Sequence, residues 1–485
     1  MVRRLAQRIA TLWAVEVVAL LLLAWILPGL SLADWRAAIV AVAAIALLNA
    51  LVRPILLVLT LPVTVLTLGL ASLLLNAASL WLAAQFVPGL TVEGRWTAVL
   101  AALGLAALNA LATNFLAITD EGSFYRSLVR RVAGRSVRIA DVETPGVVMI
   151  EIDGLAAPIL EQAISAGYMP TLARWLASGS HRLVDWDCGL PSQTSASQAG
   201  ILYGRRYDVP AFRWYEKDRQ RLLVSNWPQD AAEIEQRVAT PFGLLRRDGS
   251  SLCNIIAGGA PRTAMTLSTM TSLTHSVRRR TTGYYLYFLN PYSFSRVLVL
   301  MVGEMVRELW ERACQRLRDV RPRVSRGRTF PFLRAISTVL MRDLTAYLVV
   351  EDMFAAVPTI YCSFIGYDVV AHHAGPARPD ALRVLRGLDR QLAALEQVGR
   401  GAPRPYQFVV LSDHGQSQGA TFRQRYGRTL DQFIHEALRG EHAVYASAGQ
   451  EDGWAYLSAL VTEAVQSEGS GARTARRLLA RRTED

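Results

Sequence analysis

The first 118 residues carry six arginines (Arg3, Arg4, Arg8, Arg36, Arg53, Arg95) and three acids (Glu16, Asp34, Glu93), and almost everything between them is apolar. Thr11 to Leu30 is one run of spanning length, and Ala37 to Leu51 is a second, shorter one. The stretch from Ile55 to Val87 exceeds the ~20 residues that one membrane crossing needs. It reads either as one long tilted helix or as a re-entrant piece broken at Pro62, followed by a span from Leu68 to Val87. Trp96 to Ile118 completes the set. Repeated apolar runs with no clear cleavage site argue against a signal peptide. The same segment lifts the chain to 52% hydrophobic residues and a mean hydropathy of +0.22, values a single soluble globule rarely reaches.

The arginines set the expected topology. Arg3, Arg4 and Arg8 precede the first span, Arg53 lies between the second and third, and Arg126, Arg130, Arg131, Arg135 and Arg138 follow the last. The remaining loops hold Asp34 with Arg36 and Glu93 with Arg95, with no basic excess. Four spans with both ends cytoplasmic fit this distribution, which makes the protein a multi-pass component of a bacterial cell membrane with its soluble part in the cytoplasm. A fifth crossing within Ile55–Val87 would move that part outside. The run Asn49-Ala-Leu-Val-Arg53-Pro54-Ile-Leu, with Leu59-Thr60-Leu61-Pro62 and Leu66-Thr67-Leu68-Gly69, resembles the four-span phage-holin-like domain of bacteria. That name implies a pore; an anchor is the simpler role.

Of the 52 basic residues only Lys217 is a lysine. So one-sided a choice reflects a genome-wide codon bias better than a phosphate-reading surface, and no specific nucleic-acid partner is expected. Composition excludes collagen, coiled coil and disorder. Cys188, Cys253, Cys314 and Cys362 form no CxxC pair, which excludes a cysteine zinc module and a disulfide framework.

Residues 119–144 form a polar, arginine-rich connector. Ser127 to Gly134 reads either as a basic amphipathic helix against anionic lipid or as a solvated linker. From Pro145 the pattern turns α/β. Gly146 to Ile152 is a continuous apolar strand ending at Asp153-Gly154, as buried parallel strands read. Helices are expected near Ala157–Ala166 and from Pro170 to the stop at Gly179, and further strands at Arg262–Ser268, Pro358–Phe364 and Gln407–Leu411. This alternation predicts a mostly parallel central sheet flanked by helices, with the site at the carboxyl ends of its strands. The expected domains are a transmembrane bundle over 1–118, a catalytic domain over 145–450 with a helical insert at about 208–357, and a C-terminal helix and basic tail over 451–485.

Asp153 ends the first strand. Asp368 and His372 are four apart, so one helical turn puts both on one face. Asp413 and His414 are adjacent at the end of another strand, beside Gly415. Carboxylates and imidazoles without cysteine suit zinc, with manganese as the alternative, and two such ions clamp the attacking and leaving oxygens of a phosphoryl group. The hydroxyl-rich stretch Gly189 to Gly204 reads either as an ordinary loop and cap or as the source of a nucleophile at a helix N-terminus.

These motifs together resemble the alkaline phosphatase superfamily, on the type I phosphodiesterase/nucleotide pyrophosphatase branch, over about residues 145–420. Pro170-Thr171-Leu172-Ala173-Arg174-Trp175-Leu176 echoes the family's helix signature, and Pro191-Ser192-Gln193-Thr194-Ser195-Ala196-Ser197 falls on its nucleophile stretch. The resemblance implies two divalent metal ions: one held by Asp153, Thr194, Asp413 and His414, the other by Asp368, His372 and a further histidine. Thr194 would attack phosphorus and form a phospho-enzyme that water resolves. Ser197 stands where the family has an asparagine. The late histidine is missing, so the chain reads as shortened; His435 and His442 are the substitutes, and His373 is the rival to His372. His181 and His275 read as structural. The insert, with basic runs at Arg278–Arg280 and Arg321–Arg328, suits either an anionic, phospholipid-like substrate near the bilayer or plain solvated faces. The function expected is a membrane-anchored metal-dependent hydrolase of phosphate esters. A catalytically impaired structural or pore-like protein and a phospho-headgroup transferase are the alternatives.

Overall fold

The computed structural model describes residues 2–51, 70–116, 142–270, 287, 291–321, 323 and 326–438. The Ser127–Gly134 helix, Arg278–Arg280, His275, His442 and the C-terminal tail lie outside them. The chain divides into two compact units, Met1–Ser123 with Thr281–Leu300 and Ala464–Asp485, and Phe124–Arg280 with Met301–Glu463.

In the first unit the described parts of the apolar stretches are helical: α1 (Val2–Ile26), α2 (Trp35–Leu51), α3 (Leu70–Phe86) and α4 (Arg95–Leu116); the part of the third stretch before residue 70, with Pro62, lies outside the described residues. Among the described residues no helix is long and apolar enough to cross a membrane. The α1–α2 and α3–α4 connections hold two short strands, β1 (Leu30–Leu32) and β2 (Leu90–Val92), which pair antiparallel with Leu30 opposite Val92, Ser31 opposite Thr91 and Leu32 opposite Leu90.

That register exposes a tandem repeat at an offset of sixty residues. Pro28-Gly29-Leu30 returns as Pro88-Gly89-Leu90, and Asn49-Ala50-Leu51 as Asn109-Ala110-Leu111. The backbone bond from Ala33 N to Gly89 O (2.8 Å) is mirrored by Glu93 N to Gly29 O (2.7 Å). Buried residues come in the same pairs: Leu20 with Leu80, Leu30 with Leu90, Ala41 with Ala101. A side chain on Gly29 would strike Thr97 and Glu93, and one on Gly89 would strike Ala33 and Ala37. Both glycines also sit at positive φ, +85° and +88°, where a Cβ is strained. The halves are therefore related by a pseudo-two-fold axis through the Ser31 and Thr91 hydroxyls, which lie 2.5 Å apart.

The second unit is built on five parallel strands in the order β7-β6-β8-β3-β9: β3 (Gly146–Ile152), β6 (Ser250–Leu252), β7 (Arg262–Ala264), β8 (Thr359–Phe364) and β9 (Tyr406–Leu411). A separate antiparallel hairpin pairs β4 (Arg213–Glu216) with β5 (Arg221–Val224). The sequence reading anticipates β3, β7, β8 and β9 but not β6, whose Ser-Ser-Leu carries little apolar signal. Helices α5 (Ala157–Ser165) and α6 (Pro170–Ala177) follow β3, and α7 (Thr194–Tyr203) and α8 (Pro228–Val238) come before β6. Then come α9 (Pro291–Leu317), whose residues up to Leu300 count with the first unit, α10 (Phe330–Ala335), a π-helical turn (Ile336–Met341), α11 (Arg342–Phe354), α12 (Gly366–Ala374), α13 (Pro379–Gly399), α14 (Phe422–Tyr426) and α15 (Leu430–Ala437).

One polar and one steric contact position helices α6 and α12. The buried N-terminus of α6 has no capping side chain of its own; Asp389 of α13 accepts from the amides of Thr171 and Leu172 at 2.9 to 3.1 Å and serves as the cap. The π turn widens its helix where α12 begins, and Gly366 fits against it so closely that a Cβ would lie 3.0 Å from Ser337 O. In the insert, buried Arg326 pairs with Glu308 and Asp380, and Arg334 with Glu304, Glu308 and Glu311, at 2.6 to 2.8 Å. Arg326 is thus committed to an internal ion network, not to an outer basic face.

Replacing Ser31 and Thr91 together by cysteine should give a bridge, because directly opposed strand positions meet disulfide geometry. With a protease site inserted between residues 52 and 69, the cut halves should stay joined under oxidation and part on reduction. Halves that part without reductant would refute the pseudo-symmetric pairing.

Candidate active site

Adjacent strands β8, β3 and β9 deliver three acids to one edge of the sheet. Asp153 follows β3 directly, Asp413 stands two residues beyond β9, and Asp368 lies in the first turn of α12 beyond β8. All three are buried. Gly154 makes the convergence possible: it holds φ +71°, and a Cβ there would lie 2.2 Å from Asp368 Oδ1. Gly415 does the same on the other side, where a Cβ would meet that of Ala156 at 2.8 Å. The loops are stitched together by Gly154 N donating to Asp413 Oδ1 (3.2 Å) and Leu155 N to Ser412 Oγ (3.0 Å).

Thr194 opens α7. Its predecessor Gln193 caps the helix, accepting from Ser195 N and Oγ. Thr194 Oγ1 donates to Asp153 Oδ1 (3.4 Å) and lies 3.2 Å from His414 Nε2. The His414 ring is 3.5 Å from carboxylate oxygens of both Asp153 and Asp413. Ligand atoms of Asp153, Asp368 and His414 all lie within 4.8 Å of one another. His372 joins through Asp368, its Nε2 3.2 Å from Oδ2, and is half exposed. The structure therefore gathers Asp153, Thr194, Asp368, Asp413 and His414 closely, with His372 at the rim.

Of the other described histidines, two have partners elsewhere. His373 stacks on Phe330 at 4.0 Å between centroids, and its Nδ1 contacts Val369 O at 2.9 Å. His181 stacks on Trp175 and reaches Phe408 O. His435 is exposed on α15. Gln416, which the sequence reading passes over, donates its amide to the Asp368 carboxylate. The signal lay two residues past His414, but glutamine has no metal-ligand pattern to mark it.

Carboxylates only accept hydrogen bonds when ionised, so three of them in one buried spot need cations or protons. Burial alone would raise Asp368, but the hydrogen bond and charge of His372, the charge of His414 and the Gln416 amide outweigh it and hold Asp368 below its ordinary value. At Asp413 burial wins, helped by the Asp368 charge, and the acid is raised in spite of His414 and the Gly154 amide. Asp413 Oδ2 is buried with no hydrogen-bond partner among the described residues. An orphaned carboxylate oxygen beside two other acids and an imidazole is the donor set a divalent cation requires. Beneath it, fully buried Glu151 accepts from Gln198, Ser363 and Tyr361; desolvation and the Asp413 charge push it up to about 8.

A parallel α/β sheet whose strand ends converge acids, imidazole and a hydroxyl is the framework of a phosphoric ester hydrolase. Residues 147–470 match the type I phosphodiesterase/nucleotide pyrophosphatase family, and the chain belongs to that family of hydrolases. The match runs beyond the stretch that its sequence motifs span. Residues 7–111 match the mycobacterial four-span phage holin family, superfamily IV. The same part is 33% identical over 104 residues to the uncharacterized membrane protein YvlD of Bacillus subtilis (strain 168), covering 20% of this chain and 87% of that protein. Similar solved structures include phosphonoacetate hydrolase from Sinorhizobium meliloti 1021 with phosphonoformate (17% identity, TM-score 0.33, 56% of each chain) and with phosphonoacetate (15%, 0.35, 61% of this chain and 62% of that one). The chain thus spans less than two thirds of that enzyme.

Two outcomes follow. Gly154→Ala should abolish activity while leaving the protein soluble in detergent, because the added Cβ displaces Asp368; phosphodiesterase assays near the wild-type rate would refute this. For stability, Asp413 and Glu151 are both raised, so above about pH 4.5 the folded state binds more protons than the unfolded one, up to about 8 for Glu151. Stability of metal-free protein should therefore fall as pH rises through that window, by up to roughly 1.4 kcal/mol per pH unit for each proton. Asp368, held low, opposes this only below about 3.8. Melting in EDTA from pH 5 to 8 checks the slope, and a melting temperature that climbs with pH contradicts it.

Proposed function

We propose that the protein is a membrane-anchored, divalent-metal-dependent phosphodiesterase or phosphatase in which Thr194 is the nucleophile. The observation that carries this reading is the Thr194 hydroxyl at the start of α7, 3.4 Å from Asp153 Oδ1 and 3.2 Å from His414 Nε2. Asp153 accepts the hydroxyl's hydrogen bond and so aims a lone pair of Oγ1 outward. The α7 dipole places partial positive charge where the phosphoryl oxygens of an ester would lie. Attack forms the Oγ1–P bond as the P–O bond to the leaving group breaks, and the Oγ1 proton ends on the departing alcohol; water then cleaves the phosphothreonine, its proton restoring the hydroxyl and its OH staying on phosphorus.

Asp153, Thr194, Asp413 and His414 would hold one cation and Asp368 with His372 a second, zinc suiting the oxygen and imidazole donors best and manganese next. Bound there, the ions supply the positive charge that ionises the hydroxyl and balances the phosphoryl oxygens. Gln416 orients Asp368, and Asp413 brings its unpartnered oxygen.

The N-terminal unit is read as a four-span anchor in a bacterial cell membrane. Its match to a four-span family and to a membrane protein supports this. The arginine distribution favours a cytoplasmic catalytic domain and a phosphate-ester or phospholipid-like substrate within reach of the bilayer.

The purified chain in detergent should cleave bis-p-nitrophenyl phosphate with zinc and lose that activity in EDTA. Thr194→Ala should lower kcat by at least about a thousandfold, and Thr194→Ser should keep a measurable part. Zinc-dependent turnover that survives Thr194→Ala would overturn the nucleophile; no turnover by the wild type would favour an impaired protein.

A further inference from the structure

Resting on that hydrolase reading, we propose that a depression beside Thr194 binds a second anionic group of the substrate, carried on another arm of the ester, and that Arg206 recognises it. Thr194, Ser197 and Ile201 share one stripe of α7, three and four residues apart. That stripe leads from the nucleophile into a depression of about 290 Å³, lined also by Gly200, Arg206, Trp186 and Tyr207.

The guanidinium has a made place there. Arg206 Nη1 donates to Cys188 O, and the Arg206 nitrogens occupy the space that a Cβ on Gly189 would need, at 2.0 to 2.2 Å. Gly189 is at φ +67°, where a Cβ is strained. No acid pairs with Arg206 among the described residues, whereas its neighbour Arg205 pairs with Asp208 at 2.9 Å. Asp187, which also lines the depression, spends its carboxylate on Gly189 N at 2.7 Å.

The second observation is Ser197. It is only 2% exposed, and its hydroxyl has no hydrogen-bond partner among the described residues. A buried donor left unmade is costly, and a forked guanidinium with no counter-charge suits carboxylate or phosphate. Trp186 forms one wall and is pinned by Nε1 donating to Ser412 O at 3.1 Å, in the loop that carries Asp413 and His414. The depression is thus tied to the loop that carries Asp413. The substrate class this selects is a phosphodiester or phosphoanhydride whose other arm bears a carboxylate or phosphate a few bonds from the scissile phosphorus.

The test uses the full chain in detergent with zinc and three p-nitrophenyl phosphodiesters, whose second arm is methyl, 2-carboxyethyl or 2-phosphoethyl. The two anionic arms distinguish carboxylate from phosphate recognition. Arg206→Gln should cut kcat/KM on the preferred anionic arm by roughly 10- to 100-fold, chiefly through KM, and change the methyl ester less than about threefold; Arg206→Lys should recover part of the loss. Equal losses on all three esters would reduce Arg206 to a brace for the Cys188 loop, and no loss on any would overturn the site. If the wild type turns over none of them, the hydrolase reading fails separately. Calorimetric titration with 2-carboxyethyl phosphate and with 2-phosphoethyl phosphate then decides the anion site: equal affinity of wild type and Arg206→Gln for both overturns it.

Discussion

The crowding of negative charge at the ends of β8, β3 and β9 governs the second unit. Asp153, Asp368 and Asp413 are buried together, and so arranged they repel one another and forgo hydration. The surrounding structure aims at least one oxygen of each: the Gly154 amide on Asp413, the His372 ring and the Gln416 amide on Asp368, and the Thr194 hydroxyl on Asp153. Asp413 Oδ2 is buried and makes no hydrogen bond among the described residues, with the His414 ring 3.5 Å away. Concentrated, pre-aimed and incompletely satisfied acids are a poor way to stabilise a fold and a good way to hold a cation.

The layer under the site is polar too, and it links strand to helix. Glu151 of β3 accepts from Gln198 of α7, while Gln198 in turn accepts from Ile255 N at 2.9 Å. Gln198 lies one turn beyond Thr194, so α7 is clamped to the central strand by a buried bond, not by apolar contact alone. The polar groups of Ser363 and Tyr361 complete the set around Glu151.

Much of this was legible in the chain. Apolar strands ending in Asp153 and Asp413, the four-residue step from Asp368 to His372 and the hydroxyl-rich run before α7 are local patterns, and local patterns survive without a structure. What stayed hidden depends on partners far away in sequence. Asp389 caps α6 across more than two hundred residues, Gln416 serves Asp368, and Arg326, one of a basic run, turns inward to Glu308 and Asp380. A charge run in sequence does not say which member is buried. The strand β6 was missed because Ser250 and Ser251 are polar yet fully buried. The sixty-residue repeat is written in the letters, Pro28-Gly29-Leu30 against Pro88-Gly89-Leu90, but among so many Leu and Ala residues it stands out only once the antiparallel register is seen.

That repeat has a consequence for stoichiometry. A hairpin of helices whose middle residue meets its own counterpart across an axis has the form of a homodimer joined into one polypeptide. Separate hairpins, each bearing its own enzyme domain, would present two such domains for every pair of hairpins; the fused chain presents one. The joining also releases the axial pair from having to be identical, which is how a serine can face a threonine at the point where a true dimer would have set a residue against itself.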